Sequence, residues 1–173
     1  MIMHKAYVLL GGNKGDVPAI FRRAVSLMQD AGLHMKAEGS LYKSAAWGDG
    51  VDGVFYNKLL ILSINQEPRE LLSVLLDIES RLGRRRQPGR VTDREIDIDI
   101  LIIDDHIISE SGFSVPHPRL HLRRFALVPL CELAPDLIHP VMGKTMEQLL
   151  HDTPDRLMVT KAETDKHPGV SPI

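Results

Sequence analysis

Arg94-Glu95-Ile96-Asp97-Ile98-Asp99-Ile100-Leu101-Ile102-Ile103 is the stretch that decides the fold of this 173-residue chain. A β-branched residue stands at every second position of its first half, a pattern typical of an extended strand. Because side chains along a strand alternate between its faces, two sets are predicted. One face carries Ile96, Ile98, Ile100 and Ile102, and the other carries Asp97, Asp99, Leu101 and Ile103. The apolar second half of the stretch predicts a central position in a sheet.

The two carboxylates of this strand need a partner. Asp97 and Asp99 are predicted on one face, with α-carbons about 7 Å apart. Aspartate is depleted in strands, and a bare carboxylate near a core is unfavourable. One interpretation is a Mg²⁺ site, because Mg²⁺ is bound by one or two carboxylates together with substrate phosphates. The other is a solvated strand end with water or arginine as partners.

Composition sets the broad class of the protein. Hydrophobic residues make up 43% of the chain and charged residues 25%, as in ordinary globular domains. A net charge of -2 gives no overall attraction to nucleic acid or to an anionic membrane. The single cysteine, Cys131, excludes a disulfide within the chain and fits a reducing compartment. No segment is typical of a membrane span or a signal peptide. We therefore expect a cytoplasmic protein.

The first half of the chain alternates strands and helices. A strand at Tyr7–Leu10 is closed by a glycine-rich turn, and Asp16 is a suitable N-cap for the helix that Gly32 ends. Further strands are predicted within Met35–Lys43 and over Val54–Ile64.

A second helix is predicted from Pro68 to Gly83, immediately before the arginine-rich loop and the Asp97 strand. This order predicts an α+β fold, a ferredoxin-like βαββαβ antiparallel sheet with helices packed on it. Its first and fourth strands are expected to be neighbours at the sheet centre. A capping box at 145–148 predicts a short helix in a C-terminal helical extension. We expect one domain over residues 1–151 and a polar, poorly ordered tail over 152–173.

Five arginines stand in the loop from Gly83 to Arg94, although the protein is mildly acidic. Guanidinium groups bind phosphate oxygens bidentately, so one interpretation is a flexible phosphate clamp. The alternative is a solvated charge run or an RNA-binding arm.

Four further residues are candidates on their own chemistry. Trp47, the only tryptophan, either plugs the edge of the core or covers a flat ligand. Asn57, on the inward face of its strand, needs partners from a backbone turn or from a heterocycle. Glu79 falls within the apolar arc of its helix, where it meets an arginine or a ligand. His117 is interpreted as a phosphate or polar contact in preference to a metal ligand.

Several motifs, in order and at the right spacing from about Ala6 to Leu150, resemble one known family. Leu10–Asp16 resembles (I/L)GSN-x-GD, and Phe55-Tyr56-Asn57 resembles (Y/F)-x-N. Arg94–Leu101 resembles RT(I/L)D(I/L)DIL, and Val115–Arg119 resembles VPHP(R/H). The family is 6-hydroxymethyl-7,8-dihydropterin pyrophosphokinase (2-amino-4-hydroxy-6-hydroxymethyldihydropteridine diphosphokinase) of folate biosynthesis.

The resemblance implies that the pterin hydroxymethyl oxygen attacks the β-phosphorus of ATP and that AMP leaves. It implies two Mg²⁺ ions held by Asp97 and Asp99. By the same resemblance the catalytic residues are Arg84, Arg86, Arg94, Asp97 and Asp99. The ATP-binding residues are Glu79, Arg84, Arg94, Ile100, His117 and Arg123. The pterin-binding residues are Ser44, Ala45, Ala46, Trp47, Phe55, Asn57, Asp97 and Phe125, with Phe55 and Phe125 stacking on the ring.

The chain departs from the family pattern at two places. Val91-Thr92-Asp93 stands where many members have Trp-Gly-Pro, and Ser44-Ala45-Ala46 replaces the more usual Thr-Pro-Pro. The expected partners are ATP and 6-hydroxymethyl-7,8-dihydropterin, without nucleic acid or membrane, in a monomer. The alternative function is a non-catalytic ferredoxin-like module that binds nucleotide or RNA. The lack of interleaved exposed aromatics on the strands argues against it.

Overall fold

A computed structural model describes residues 2–45, 53–83 and 95–162 of the chain. Its strands are β1 (His4–Gly12), β2 (His34–Glu38), β3 (Tyr42–Ala45), β4 (Val54–Ile64), β5 (Asp97–Ile103), β6 (Ile108–Glu110), β7 (Phe113–Val115) and β8 (Val159–Lys161). Its helices are α1 (Val17–Asp30), α2 (Pro68–Arg81), α3 (Arg124–Leu133) and α4 (Met146–Asp152). None of these helices is long and apolar enough to cross a membrane.

Local chemistry sets the helix ends as predicted. The Asp16 carboxylate accepts a hydrogen bond from the Ala19 N–H at 3.1 Å and so caps α1. Thr145 and Gln148 form the predicted capping box of α4. Gly83, just beyond α2, has a φ of +93°, which favours glycine after a helix end.

The main sheet is antiparallel throughout, in the order β5-β1-β4-β3-β8, with β2 also paired to β4. The predicted adjacency of the first strand and the Asp97 strand is therefore confirmed. The predicted central position of the Asp97 strand is wrong, because β5 is the outermost strand on its side of the described sheet. β5 is apolar because both of its faces are covered by packed elements.

Helices cover both faces of this sheet. The α1–α2 face is the side where α1 and α2 pack, and its strand residues include Val8, Leu10, Leu60, Leu62, Ile98 and Ile100. The α3–α4 face is the opposite side, and its strand residues include Tyr7, Leu9, Leu59, Ile61, Leu101 and Ile102. Every one of these side chains is at most 8% exposed, so the sheet lies between two apolar cores.

A bulge in β5 changes the predicted alternation. Tyr7 pairs with Ile102 but the next residue, Val8, pairs with Ile100, so Leu101 is the extra residue. Ile102 consequently joins the α3–α4 core and Ile103 joins the α1–α2 core, the reverse of the prediction for both. The predicted faces of Asp97 and Asp99, which precede the bulge, are unaffected.

The single strand predicted within Met35–Lys43 is divided into β2 and β3. The Gly39 N–H still donates to the Leu59 carbonyl at 2.9 Å, but the next N–H, at Ser40, donates to the Glu132 carboxylate at 2.6 Å. A Cβ on Gly39 would lie 2.9 Å from that carboxylate. The side chain from α3 therefore interrupts the ladder at this point.

The expectation of a poorly ordered tail from residue 152 is wrong for residues 153–162. β8 pairs with β3 at the edge of the sheet. The main chain N–H of Arg124 donates to Asp155 at 2.8 Å, and its Nε donates to the Leu157 carbonyl at 2.9 Å. These bonds fix the segment to the start of α3. The polar sequence of the segment does not predict them, because they depend on a residue of another element.

Candidate active site

Four strands bring the site residues into one row across the sheet. In the pairing register Gly11 of β1 lies between Asp97 of β5 and Asn57 of β4, and Tyr42 of β3 pairs with Asn57. Paired residues share a face, so this row lies on the α3–α4 face. Leu9 and Asp99 form the adjacent row toward the core.

Gly11 leaves space in the middle of this row. A Cβ at Gly11 would lie 2.9 Å from Asn57 Nδ2 and 3.8 Å from Asp97 Cβ. Because β1 separates their strands, the α-carbons of Asn57 and Asp97 are about 10 Å apart. The Asn57 amide therefore lies where a side chain at residue 11 would be, and the surface of β1 at Gly11, between this amide and Asp97, is called the cleft below.

Asn57 is buried, and its Nδ2 donates to the Leu10 carbonyl at 3.2 Å. The sequence allows either the main chain or a bound heterocycle as the partner of this amide, and the structure shows a main-chain partner. This bond fixes the plane of the amide, which directs its edge at the Gly11 cleft. Ser44 pairs with Phe55 one row further out, on the same face as Asn57.

The donor set at Asp97 and Asp99 fits Mg²⁺. Both carboxylates are half-buried and lie on one face of β5, where they offer only oxygen atoms. Mg²⁺ prefers oxygen ligands and keeps several positions for water or phosphate, so two half-buried carboxylates on one strand face are a suitable set.

His117 lies close to this carboxylate pair. Burial lowers its pKa to about 4, and the positive charges of Arg123 and Arg119 act in the same direction. The negative charge of Asp97 opposes the shift. The ring is therefore neutral at pH 7, and it is fixed to β5 because the His117 N–H donates to the Leu101 carbonyl at 2.9 Å.

The neutral ring presents a donor toward Arg123. His117 Nδ1 accepts from the Arg119 N–H at 3.1 Å, so the ring proton is on Nε2. Nε2 lies 3.4 Å from Nη1 of Arg123, which is also a donor. Two donors that converge in this way match an anionic oxygen better than they match each other. The Arg123 guanidinium also lies 5.5 Å from the centroid of the Phe125 ring, at the start of α3.

Glu79 is 3% exposed and serves the outer edge of β5. Its Oε1 accepts from the Ile98 N–H at 2.7 Å. In the described sheet no further strand lies beside the Ile98 N–H, so the Glu79 carboxylate takes the place of a strand partner. The same bond connects α2 to Ile98, which lies between the two aspartates. This is the contact that explains a carboxylate within the apolar arc of α2.

Two predicted contact residues do not direct their side chains into the cleft. Ile100 is 6% exposed within the α1–α2 core, so only its main chain is available to a ligand. Ala45 pairs with Val54, one position beyond the Ser44 pair, and its exposed side chain lies on the face opposite Ser44. Ile100 and Ala45 therefore stay predicted members of the site through their main chains. Ala46, Trp47, Arg84, Arg86 and Arg94 lie outside the described residues.

Glu132 and Arg119 were missed by the sequence reasoning. Glu132 accepts from the Ser40 N–H and from the Tyr42 hydroxyl at 2.9 Å, beside the Asn57 row. The available signal was a single acidic residue within the apolar stretch of α3. Arg119 is the last residue of the VPHP(R/H)-like motif, and its contact with His117 Nδ1 depends on a turn that sequence patterns do not specify.

A family model described as 7,8-dihydro-6-hydroxymethylpterin-pyrophosphokinase (HPPK) matches residues 7–135. Three relatives carry the name 2-amino-4-hydroxy-6-hydroxymethyldihydropteridine pyrophosphokinase. The one from Methylorubrum extorquens is 37% identical over 86% of this chain and 92% of its own length. The one from Synechocystis is 36% identical over 85% of this chain and 75% of its own length. The one from Aquifex aeolicus is 34% identical over 84% of this chain and 90% of its own length.

Solved structures support the fold. Wild-type HPPK-DHPS from Plasmodium falciparum matches with a TM-score of 0.68 at 16% identity over 87% of this chain. The match spans 44% of the Plasmodium chain, so this chain corresponds to less than half of that protein. A second wild-type structure, with STZ-DHP, matches with a TM-score of 0.69 at 15% identity, over 87% of this chain and 43% of that one. The chain therefore has the α+β architecture of these structures, an antiparallel sheet with packed helices.

Proposed function

The chain belongs to the 7,8-dihydro-6-hydroxymethylpterin-pyrophosphokinase family, and from that premise we propose which of its residues carry out the reaction. The protein is an ATP-dependent pyrophosphokinase of folate biosynthesis. It transfers the pyrophosphoryl group of ATP to the hydroxymethyl group of 6-hydroxymethyl-7,8-dihydropterin. The alcohol oxygen forms a bond to the β-phosphorus, the bond from that phosphorus to the α–β bridging oxygen breaks, and AMP leaves.

The row of Asn57, Gly11 and Asp97 on one face of the sheet is the observation that carries the assignment of the pterin site. A flat heterocycle above Gly11 meets the amide edge of Asn57 at one end and Asp97 at the other. Phe55 and Phe125 supply aromatic surface, and Ser44 lies beside Phe55 on the same face. This order directs the ring edge to Asn57 and the hydroxymethyl group toward the carboxylates. Ala45 contributes through its main chain, and Ala46 and Trp47 stay predicted members of the pocket.

Asp97 and Asp99 are proposed to hold two Mg²⁺ ions, because both carboxylates face the cleft from one strand. When bound, the ions neutralise the charge of the triphosphate that faces the alcohol. The protein's part is to fix the direction of the two carboxylates. Glu79 supports this through its hydrogen bond to Ile98, between them.

The nucleotide is proposed to lie along the outer edge of β5 and toward His117. His117 Nε2–H and Arg123 Nη1 are donors 3.4 Å apart, and a phosphate oxygen placed between them would accept from both. Main-chain groups two residues apart on a strand face the same way, so those of Ile100 face the outer edge as the Ile98 N–H does. That edge suits a purine base, and Glu79 stays a predicted neighbour of the nucleotide. We propose that the phosphates are bound during transfer by the guanidinium groups of Arg84, Arg86 and Arg94.

We also propose a fold class, a domain extent, an oligomeric state and a location for the protein. The strand order and the antiparallel pairing support the ferredoxin-like class, and α3 and α4 support a C-terminal helical extension. We propose one domain over residues 1–151 to which 153–162 is attached, a monomeric state and a cytoplasmic location. Binding to nucleic acid or to a membrane is not expected.

Substitution of Asn57 tests the pterin site. Asn57→Ala should weaken pterin binding at least tenfold and leave the affinity for a non-hydrolysable ATP analogue with Mg²⁺ within twofold, because only the pterin edge uses the amide. Calorimetry with each ligand measures both constants, and Ser63→Ala, on the same strand outside the cleft, is the control. An equal loss for both ligands would contradict the assignment. Product analysis with ATP and pterin separates AMP and pterin diphosphate, the expected pair, from nucleotide or RNA binding without turnover.

A further inference from the structure

A group of three metal-ligating side chains lies at the opposite end of β1 from the cleft. His4 begins β1, and Asp104 and His106 stand in the turn that follows β5. One ligand atom from each residue lies within 4.8 Å of the other two. The site is about 23 Å from Gly11, by the rise along β1. It is therefore separate from the Asp97–Asp99 pair.

The carboxylate of this group is held in place by the backbone. Asp104 Oδ1 accepts from the Lys5 N–H at 3.0 Å, and the Asp104 N–H donates to the Lys5 carbonyl at 3.0 Å. Oδ2 lies 2.9 Å from His4 Nδ1. Asp104 has a φ of +43°, an unusual value for a residue other than glycine, and these bonds support it. One carboxylate oxygen is thus used for anchoring, while the other faces the imidazole rings.

The second imidazole is oriented as metal ligands commonly are. His106 Nδ1 lies 3.1 Å from the Ile103 carbonyl, which can only accept, so Nδ1 carries the proton and Nε2 carries the lone pair. Such a bond from a ring N–H to a backbone carbonyl fixes the tautomer and direction of ligating histidines. The His4 and His106 rings are edge-on, with centroids 5.0 Å apart at 84°.

This donor set selects a class of metal. Two imidazole nitrogens and one carboxylate oxygen suit Zn²⁺ and its late first-row neighbours, whereas Mg²⁺ requires mostly oxygen ligands. Around Zn²⁺ the ligand atoms would be about 3.4 Å apart. The ligand atoms all lie within 4.8 Å of one another at present, close to that value, and His4 Nδ1 lies 2.9 Å from Asp104 Oδ2. All three residues are half-buried, so the site is accessible from solvent.

We propose that His4, Asp104 and His106 form a binding site for Zn²⁺ or a similar divalent transition metal. The ion ties the start of β1 to the end of β5. These are the two strands that carry Gly11 and the Asp97–Asp99 pair, so the ion stabilises the framework of the active site without taking part in the reaction.

The test uses the full chain, stripped of metal and carrying Asp97→Ala and Asp99→Ala to remove the proposed Mg²⁺ carboxylates. Calorimetric titration with ZnCl₂ should show one equivalent bound, and Co²⁺ should give the visible absorption bands of a nitrogen- and oxygen-ligated ion. At a hundredfold excess of Zn²⁺ over its dissociation constant the melting temperature should rise by about 5–10 °C. The same excess of MgCl₂ should not raise it.

Two variants and a matched control complete the test. Asp104→Asn keeps an oxygen acceptor for the Lys5 N–H, and His106→Gln changes a half-buried residue of the turn, so either isolates the loss of a ligand. Each should weaken Zn²⁺ binding about 30-fold or more, since even supporting residues of metal sites contribute 10- to 100-fold. His151→Gln removes a histidine that contacts an aspartate in the same way, at 3.1 Å from Asp152, without a second histidine in the described residues. It should leave binding unchanged. The proposal would be overturned if the chain carrying only Asp97→Ala and Asp99→Ala did not bind Zn²⁺, or if Asp104→Asn and His106→Gln left its binding unchanged. Neither result bears on pyrophosphoryl transfer.

Discussion

The two faces of the sheet use the same strands for different purposes. On the α1–α2 face, Leu10 and Ile98 are buried in an apolar core up to the ends of their strands. On the α3–α4 face the apolar core ends at the row of Leu9, and the next row carries Gly11 and Asp97. Neighbouring residues on a strand face opposite ways. Leu10 therefore contributes to the stability of the core, while Gly11, the next residue, belongs to the proposed active site.

The largest expected effect is on turnover, from Asp97→Ala. Loss of this carboxylate removes fixed charge from the proposed metal site, so kcat should fall by about 10³ or more. The melting temperature should change by less than about 2 °C, because the residue is half-buried at the start of β5. Rates of AMP release and thermal unfolding measure the two quantities. Asp30→Ala, at the exposed end of α1, should change neither, and near-normal turnover of the Asp97 variant would remove the metal assignment.

The next effect is on stability, from Leu10→Ala on the opposite face. Leu10 is fully buried, so the truncation should lower the free energy of unfolding by about 2–5 kcal/mol. The melting temperature should fall by about 5–15 °C, while kcat of the folded enzyme stays within about threefold. Denaturant unfolding and an assay well below the melting temperature measure these. Leu76→Ala, at a 37% exposed position of α2, is the control. A large loss of kcat at unchanged stability would mean that the two faces are not separate in function.

A smaller effect is expected one residue further along β1. In Gly11→Ala the new Cβ lies 2.9 Å from Asn57 Nδ2, so the amide must shift from its bond with Leu10. The KM for the pterin should rise about 10- to 100-fold with the KM for ATP nearly unchanged. Steady-state kinetics with each substrate varied in turn makes the distinction. A variant that unfolds while its substrate constants stay normal would assign Gly11 to packing instead.

The smallest effect concerns the polar network on the α3–α4 face. Burial tends to raise the pKa of Glu132, but hydrogen bonds from Ser40 and Tyr42 and the nearby Lys161 outweigh it and lower the pKa to about 2. A lowered folded-state pKa stabilises the protein above the unfolded value near 4.5, and this stabilisation is lost as the pH falls from there toward 2.

Glu132→Gln should therefore lower the free energy of unfolding by about 1–2 kcal/mol at pH 6. The difference from wild type should shrink as the pH falls below 4.5. Denaturant unfolding from pH 6 to 3 measures it, with the exposed Glu147→Gln as control. A difference that is independent of pH would show that the charge of Glu132 is not the source of its effect.

Much of the fold followed from local patterns. The Asp16 cap and the capping box at Thr145 depend on residues within one turn, so sequence spacing identified them. The face shared by Asp97 and Asp99 follows from strand alternation alone. The faces of Ile102 and Ile103 were assigned wrongly, because the bulge at Leu101 arises from pairing with β1, more than ninety residues earlier in the chain.

The sequence by itself determined the kinds of group present: two carboxylates on one strand face, a glycine turn, an inward asparagine and a set of arginines. Only the tertiary structure decided which of these meet. Gly11 lies between Asn57 and Asp97 because β1 pairs with both β4 and β5. Glu132 reaches Ser40 because α3 packs across the sheet. Alternation and capping act within a few residues, whereas register and packing depend on contacts between residues far apart in the chain.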